Sequence, residues 1–285
     1  MSIWLFIFGA AVGSFLNVIA LRYDPDKFIL HPKIIGGRSH CAHCGKTLRW
    51  FELIPLLSFL VQSASCRQCG APLSLQYPIS ELLAGLIAVC VPRILFPSPL
   101  ATYSFNDYLG ISAWILIFWV LLVIALIDLR TSLIPDEANL TLAGLGIIAL
   151  LVKVPAFDEF SGSFIGAFGA IFGLRNNIWL NHAVGAFTGL AIFGLLILIT
   201  RGRGMGLGDL KLAVALGIVL GWPGVILATA LAFIFGGIAG GGLILLHRKK
   251  MKSFLPFGPF LAIGAASIFF FGFQIVSFYF ALFKL

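Results

Sequence analysis

Along the chain the polar positions cluster, and the apolar ones run together in long blocks. Eight blocks predict membrane-crossing helices: Ile3 to Leu21, and then about Ile79 to Leu95, Gly110 to Ile127, Leu140 to Val154, Ala183 to Thr200, Leu210 to Leu220, Val225 to Leu246 and Phe257 to Phe283. A bilayer core takes about 20 residues of helix, and most of the blocks are of that order. The first follows only Met1 and Ser2, without the basic start or small-residue cleavage site of a removable signal peptide, so it reads as a retained helix. Ser161 to Trp179 is apolar but rich in glycine, and fits a surface-lying helix, a re-entrant segment or a loop.

Composition agrees with the pattern. Of the 285 residues 60% are hydrophobic and 11% charged, and the mean hydropathy is +1.06, whereas soluble domains are roughly 45–50% apolar. A soluble globular fold is excluded. The stretch from Arg22 to Gln76 is the exception, with seven basic residues, four of the five cysteines and no apolar run of spanning length. With this stretch on the cytoplasmic side and eight crossings, fifteen of the nineteen basic residues share that side, leaving Arg93, Lys153, Arg175 and Lys284 on the other. The positive-inside bias therefore selects an outward amino terminus, and the net charge of +8 marks cytoplasmic loops rather than nucleic-acid binding. The expected fold is an all-α polytopic membrane protein of about eight transmembrane helices with a small cytoplasmic module between the first two. Its divisions are 1–21, 22–78 and 79–285.

Cys41-Ala42-His43-Cys44 and Cys66-Arg67-Gln68-Cys69 are two thiol pairs at the spacing of a zinc ribbon. Each two-residue gap brings two sulfurs to one side of a tight turn, and Gly45 and Gly70 supply the left-handed backbone such knuckles need. Four thiolates close a tetrahedral Zn²⁺ site with no open position, so the metal is expected to fold the module rather than do chemistry. Two disulfides or free redox thiols are the alternative, disfavoured in a cytoplasmic location. His43 is expected to be exposed, and Cys90 to be a small buried apolar residue.

Charges inside apolar spans are costly and need an explanation. Asp128 closes the block ending Leu126-Ile127-Asp128, and Asp209 stands in Gly206-Leu207-Gly208-Asp209 just before Leu210-Lys211-Leu212. By the crossing count both lie at cytoplasmic helix ends, where they can meet. Two nearby carboxylates in a poorly hydrated site share a proton; one acts as base on a water while the other polarises a carbonyl. That is aspartyl-protease chemistry. Gly206 and Gly208 leave room beside Asp209 for an extended peptide. Alone, each aspartate reads more simply as structural, Asp209 as an N-cap and Asp128 as an interfacial residue. Asp136, after Pro135, reads as the N-cap of the fourth span. Glu52, beside Trp50 and Phe51, contacts basic substrate or, more simply, sits on a solvated face. Arg248 to Lys252 read as an anchor against anionic headgroups.

The ordered series of motifs resembles the type IV prepilin leader peptidase family, the bifunctional leader peptidases and N-methyltransferases of bacterial pilus, type II secretion and competence systems. It comprises Gly13-Ser14-Phe15-Leu16-Asn17-Val18 ending at Arg22, the two cysteine pairs flanking Ile54-Pro55-Leu56-Leu57-Ser58, and Tyr77-Pro78 with Glu81. Asp128 with Ile134-Pro135-Asp136, Gly206 to Leu212, and Pro256-Phe257-Gly258-Pro259 complete it. The resemblance implies that Asp128 and Asp209 are the catalytic pair of residues 79–285, with Gly206, Gly208, Lys211, Pro135 and Asp136 in support. It implies prepilin and pseudopilin precursors as substrates, cut after a glycine on the cytoplasmic face of the inner membrane, with pilus or type II secretion assembly components as further partners. It also implies methylation of the new amino terminus by S-adenosylmethionine, with Gly13, Ser14, Asn17, Arg22 and Glu81 as candidate cofactor residues. This chain departs from the family in having Leu53 where Asn is usual, Ser63-Ala64-Ser65 where a basic-glycine-basic run is usual, and Gln76 where Arg is usual.

Without the resemblance, Gly13 and Ser14 read equally well as small residues at a helix crossing. Asn17 calls for a hydrogen-bond partner, and Arg22 and Glu81 can pair with each other or bind substrate. Three rivals remain at this stage. A peptidase that has lost methyl transfer and an inactive assembly scaffold both keep the fold. A transporter would use the aspartates as a proton relay, but they lie near one face and no inverted repeat is evident.

Overall fold

A computed structural model of the chain describes residues 2–96, 104–152, 164–165, 168, 174, 177–246 and 255–282. Much of the interval from Val154 to Ala183 and the basic residues 248–252 lie outside the described residues. The chain divides into two compact units, Met1–Arg93 and Ile94–Leu285.

The first unit opens with α1 (Ser2–Arg22) and closes with most of α4 (Gln76–Leu95). Between them lie the short helices α2 (Pro32–Ile35) and α3 (Leu57–Val61) and a 3₁₀ turn, Trp50–Leu53. Helix α1 crosses α4 on glycines. A Cβ on Gly13 would stand 2.6 Å from the Ser80 carbonyl oxygen, and one on Gly9 would stand 2.7 Å from that of Ala84. The two backbones touch at a distance only small residues allow.

The second unit is built from α5 (Phe105–Thr131), α6 (Asp136–Val152), α7 (Ile178–Thr200), α8 (Leu207–Leu220), α9 (Gly224–Leu245) and α10 (Gly258–Leu282). Helix α5 is the most enclosed, because Trp114 and Phe118 meet Phe269 of α10 at ring-centroid distances of 4.9 and 4.8 Å. Helices α7 and α8 form a hairpin that also rests on small residues: a Cβ on Gly217 would stand 2.3 Å from the Gly185 carbonyl oxygen, and one on Gly189 would stand 2.4 Å from that of Ala213. Backbone atoms cannot rotate out of the way as a side chain can. Gly217→Leu is therefore expected to cost about 3 kcal/mol, measurable as a lowered unfolding temperature of the detergent-purified protein.

Among the described residues six helices are long and apolar enough to cross a membrane, namely α1, α4, α5, α7, α9 and α10. The expected count of eight is not reached on length alone, since α6 has 17 residues and α8 has 14. Both nonetheless pack within the second unit: α8 lies against α6 and α7, and α6 lies against α5 on one side while Leu140, Ile147, Ile148 and Leu151 stay exposed. A largely buried helix such as α8 need not match the bilayer thickness that a lipid-facing helix must. Most expected boundaries also lengthen, because polar residues such as Asp136 and Asp209 belong to the first turns of their helices.

Candidate active site and thiol cluster

Asp128 sits near the end of α5, where Ser132 turns the chain with left-handed φ of 55° and donates its N–H to the Asp128 carbonyl at 2.8 Å. Its side chain is 3% exposed, and its Oδ2 accepts the backbone N–H of Gly258, the first residue of α10, at 2.8 Å. Asp209 is 7% exposed and lies in the first turn of α8, whose N-cap is Gly206. Its Oδ2 accepts the Gly206 N–H at 3.1 Å. The reading of Asp209 as an N-cap is corrected by three places: the cap is Gly206, Asp209 is the third helical residue, and its carboxylate reaches back to the cap as in half a capping box. The Asp209 charge acts electrostatically on Asp128, so the two carboxylates, 81 residues apart in sequence, come near enough to interact.

The rest of the site follows from how the helix ends are held. Gly208 lies against Ile134, to whose Cβ an added Cβ would come within 3.2 Å. Lys211 Nζ binds both carboxylate oxygens of Asp136 at 2.8 and 2.7 Å. Asp136 is thus the first residue of α6 and an ion-pair partner, not an N-cap. Because the pair is exposed, it contributes no more than about 1 kcal/mol and serves to set α8 against α6. Pro135 opens the same turn by accepting the Asn139 N–H at 3.2 Å.

Gly258 has no role in the sequence-based site although Pro256-Phe257-Gly258-Pro259 was visible. A glycine between two prolines at a helix start was the available signal. A Cβ there would stand 2.8 Å from Asp128 Oδ2 and 3.3 Å from its Cγ. Gly258→Ala is expected to displace that carboxylate and slow any reaction it performs by about 100-fold, with the unfolding temperature little changed; steady-state rates of the variant check this.

In the first unit the four thiols converge. The sulfurs of Cys41, Cys44, Cys66 and Cys69 all lie within 4.8 Å of one another and could hold a metal ion. Cys41 and Cys69 sulfurs are 3.9 Å apart, against about 3.8 Å for two sulfurs on a tetrahedral zinc with 2.3 Å bonds. The two knuckles are built alike. Gly45 N–H donates to the Cys41 carbonyl and Cys41 N–H to that of Lys46, while Gly70 N–H donates to Cys66 and Cys66 N–H to Ala71. Gly45 and Gly70 have φ of 71° and 70°, and each knuckle closes with a single β-bridge, His40 with Thr47 and Ser65 with Pro72. N–H groups of Cys69 and Gln68 pull the Cys66 thiol down to about 6, and those of Cys44 and His43 lower Cys41. At Cys69 the Ala71 N–H works the same way, but desolvation and the neighbouring thiols prevail and push it up to about 11. His43 is exposed, as expected, and Cys90 is half-buried.

Glu52 does not sit on a solvated face. It is buried, accepts the Arg49 N–H at 2.8 Å and the Lys46 ammonium at 3.1 Å, and is held below the usual carboxylate range by these two contacts. Nor do Arg22 and Glu81 pair with each other. Arg22 donates to the Gly36 carbonyl and, at 3.0 Å, to that of Arg38. Glu81 is buried, accepts the Leu56 N–H at 2.7 Å and shares a hydrogen bond with Ser14. Asn17 is fully buried, with Oδ1 accepting from Gln76 Nε2 at 2.8 Å and Nδ2 without a partner among the described residues. Ser63 and Ala64 take φ of 50° and 54°.

Comparison with known proteins bears on both halves. Residues 7–94 match the bacterial peptidase A24 N-terminal domain, and residues 115–241 match the type IV leader peptidase family. A prepilin leader peptidase/N-methyltransferase of Aeromonas hydrophila is 34% identical over 278 residues, which cover 91% of this chain and 87% of that protein. The chain belongs to the type IV leader peptidase family. Proteins of the same name from Pseudomonas aeruginosa and Bacillus subtilis are each 31% identical over 96% of the chain, covering 91% and 96% of their own lengths. No solved structure matches. Six apolar helices and this membership make the protein a multi-pass membrane protein.

Proposed function

We propose that the protein is an aspartic endopeptidase of the bacterial inner membrane that removes the basic leader of type IV prepilin and pseudopilin precursors and then methylates the new amino terminus. The observation that carries the reading is the meeting of Asp128 and Asp209 at gathered helix ends, each carboxylate held by a backbone N–H. The curated relatives, named for both activities, support it. The concentration of basic residues in 22–76 and 201–211 supports a cytoplasmic face for these segments and an outward amino terminus.

The two carboxylates work with one proton between them. The ionised one takes a proton from water as the water oxygen attacks the carbonyl carbon of the leader's last glycine. The protonated one gives its proton to the carbonyl oxygen. The tetrahedral intermediate then collapses, the C–N bond breaks, and the new amine leaves with a proton from the pair. Gly258 and Gly206 N–H groups fix the carboxylates throughout. Gly208 lets Ile134 pack close against the start of α8, while Lys211, Asp136 and Pro135 hold the two helix starts in place.

The first unit serves methyl transfer. S-adenosylmethionine supplies the electrophilic methyl group when bound, and the unpartnered Asn17 Nδ2 fits a polar ligand better than it fits a packed helix crossing. Ser14, Asn17 and Glu81 would hold the cofactor or the incoming amine. Gly13 and Arg22 are already employed in the α1–α4 crossing and in the Gly36 and Arg38 carbonyls. Intact-mass analysis of a prepilin incubated with the purified protein and S-adenosylmethionine tests the reading. Loss of the leader mass followed by gain of one methyl group is expected. Leader loss without the methyl gain confines the enzyme to proteolysis, and no cleavage across several prepilins moves the assignment to an assembly scaffold.

A further inference from the structure

Asn139 is 5% exposed, and neither its Nδ2 nor its Oδ1 has a hydrogen-bond partner among the described residues. An amide orphaned at both ends is costly to bury compared with an apolar residue of the same size, so its retention calls for a ligand. Its place in the fold says which. Asn139 lies in the first turn of α6, bonded to Pro135, and α6 packs along α5, whose last turn carries Asp128. Helices α6 and α8 run parallel, with Ile134 beside Gly208 and Gly146 beside Val219. Seven residues below Gly146 is Asn139, and seven below Val219 is Leu212, so these two are level. Leu212 is three residues, one helical turn, beyond Asp209.

We propose that Asn139 is a positioning residue of the peptidase site, its side-chain amide holding the hydrolytic water against Asp128 and Asp209. The proposal rests on the reading of that pair as the peptidase dyad. A water is the ligand that fits, because a buried water needs two to four polar partners. The amide and the two carboxylates supply them. One water proton goes to Asn139 Oδ1 as a hydrogen bond and the other is transferred to the ionised carboxylate, which leaves an oxygen lone pair aimed at the scissile carbonyl. Asn139 itself exchanges no proton.

The test uses the full chain with Asn139→Leu and Asn139→Ala, measured for kcat and KM of prepilin cleavage, for methylation of a peptide that already carries the trimmed amino terminus, and for unfolding temperature. Expected are a fall in kcat of about 100-fold, KM within twofold, methylation unchanged and an unfolding temperature no lower for Asn139→Leu. Asn139→Ser, which keeps a small hydrogen-bonding group, is expected to restore part of kcat. Unchanged kcat in both variants overturns the proposal, as does a raised KM at unchanged kcat, which marks a substrate contact. A lowered unfolding temperature with cleavage and methylation falling together assigns Asn139 a purely structural role and overturns it too. Asp128→Asn and Asp209→Asn run alongside; normal cleavage by those would sink the dyad itself, whatever the Asn139 variants do.

Discussion

Asp128→Asn and Asp209→Asn are each expected to slow prepilin cleavage by about 10³–10⁴-fold, while each protein stays folded and still methylates a trimmed substrate. The size comes from what one carboxylate does as general acid or base, a contribution of about 10²–10⁴-fold, taken at its upper end because the other carboxylate cannot act alone. Asparagine keeps the shape and an acceptor oxygen for the Gly258 or Gly206 N–H, so the change removes proton transfer and little else. For that reason the double variant is expected to be no slower than the single ones, as for residues that act as a unit. Methyl transfer survives because the residues assigned to it belong to Met1–Arg93 and the dyad to Ile94–Leu285. Rates measured on one prepilin with all three variants decide the matter. Cleavage within tenfold of the unsubstituted protein in either single variant would remove that aspartate from the mechanism.

What was legible in the sequence is what neighbouring residues determine. Apolar blocks give helices, and the cysteine pairs with Gly45 and Gly70 give two knuckles, because the turn that gathers two sulfurs is made within five residues. Gly206-Leu207-Gly208-Asp209 announces a carboxylate at a tight helix start in the same way. What was not legible depends on packing between elements distant in the chain. The donor to Asp128 comes from Gly258, 130 residues away, and no local pattern names it. Asp136 looked like a cap because it follows a proline, yet its partner, Lys211, is 75 residues on. Glu52 is a local miss: its partners, the Arg49 N–H and Lys46, are only three and six residues back, but nothing in Trp50-Phe51-Glu52-Leu53 marks the 3₁₀ turn that folds them onto it. The span count is not settled by length for a related reason: whether 14 residues must reach across a bilayer depends on what surrounds them, and α8 is largely buried against α6 and α7.

Stripping the metal from the thiol cluster is the second large effect expected, and it follows from how little else holds residues 23–75. Only Ile34, Cys41, Glu52, Gln62 and Cys66 are buried there, so a single aliphatic side chain stands where a domain of that length needs a core. Two isolated β-bridges, two short helices and a 3₁₀ turn cannot offset the chain entropy, and domains this small ordinarily require a metal or disulfides. Four thiolates on zinc contribute about 10–16 kcal/mol of apparent binding free energy, nearly all of it folding free energy. The protein as purified is therefore expected to carry one zinc per chain, and Cys41→Ser or Cys66→Ser, or a strong chelator, to remove it. Limited proteolysis should then cut throughout residues 23–75, which resist it in the zinc form, and methyl transfer should be lost. The long helices from Phe105 to Leu282 draw their stability from contacts such as Trp114 with Phe269 and Gly217 with Gly185, none of which involves the cluster, so their protection is expected to remain. A metal-free preparation whose residues 23–75 resist protease as the zinc form does would show that the thiols hold this module together without a metal.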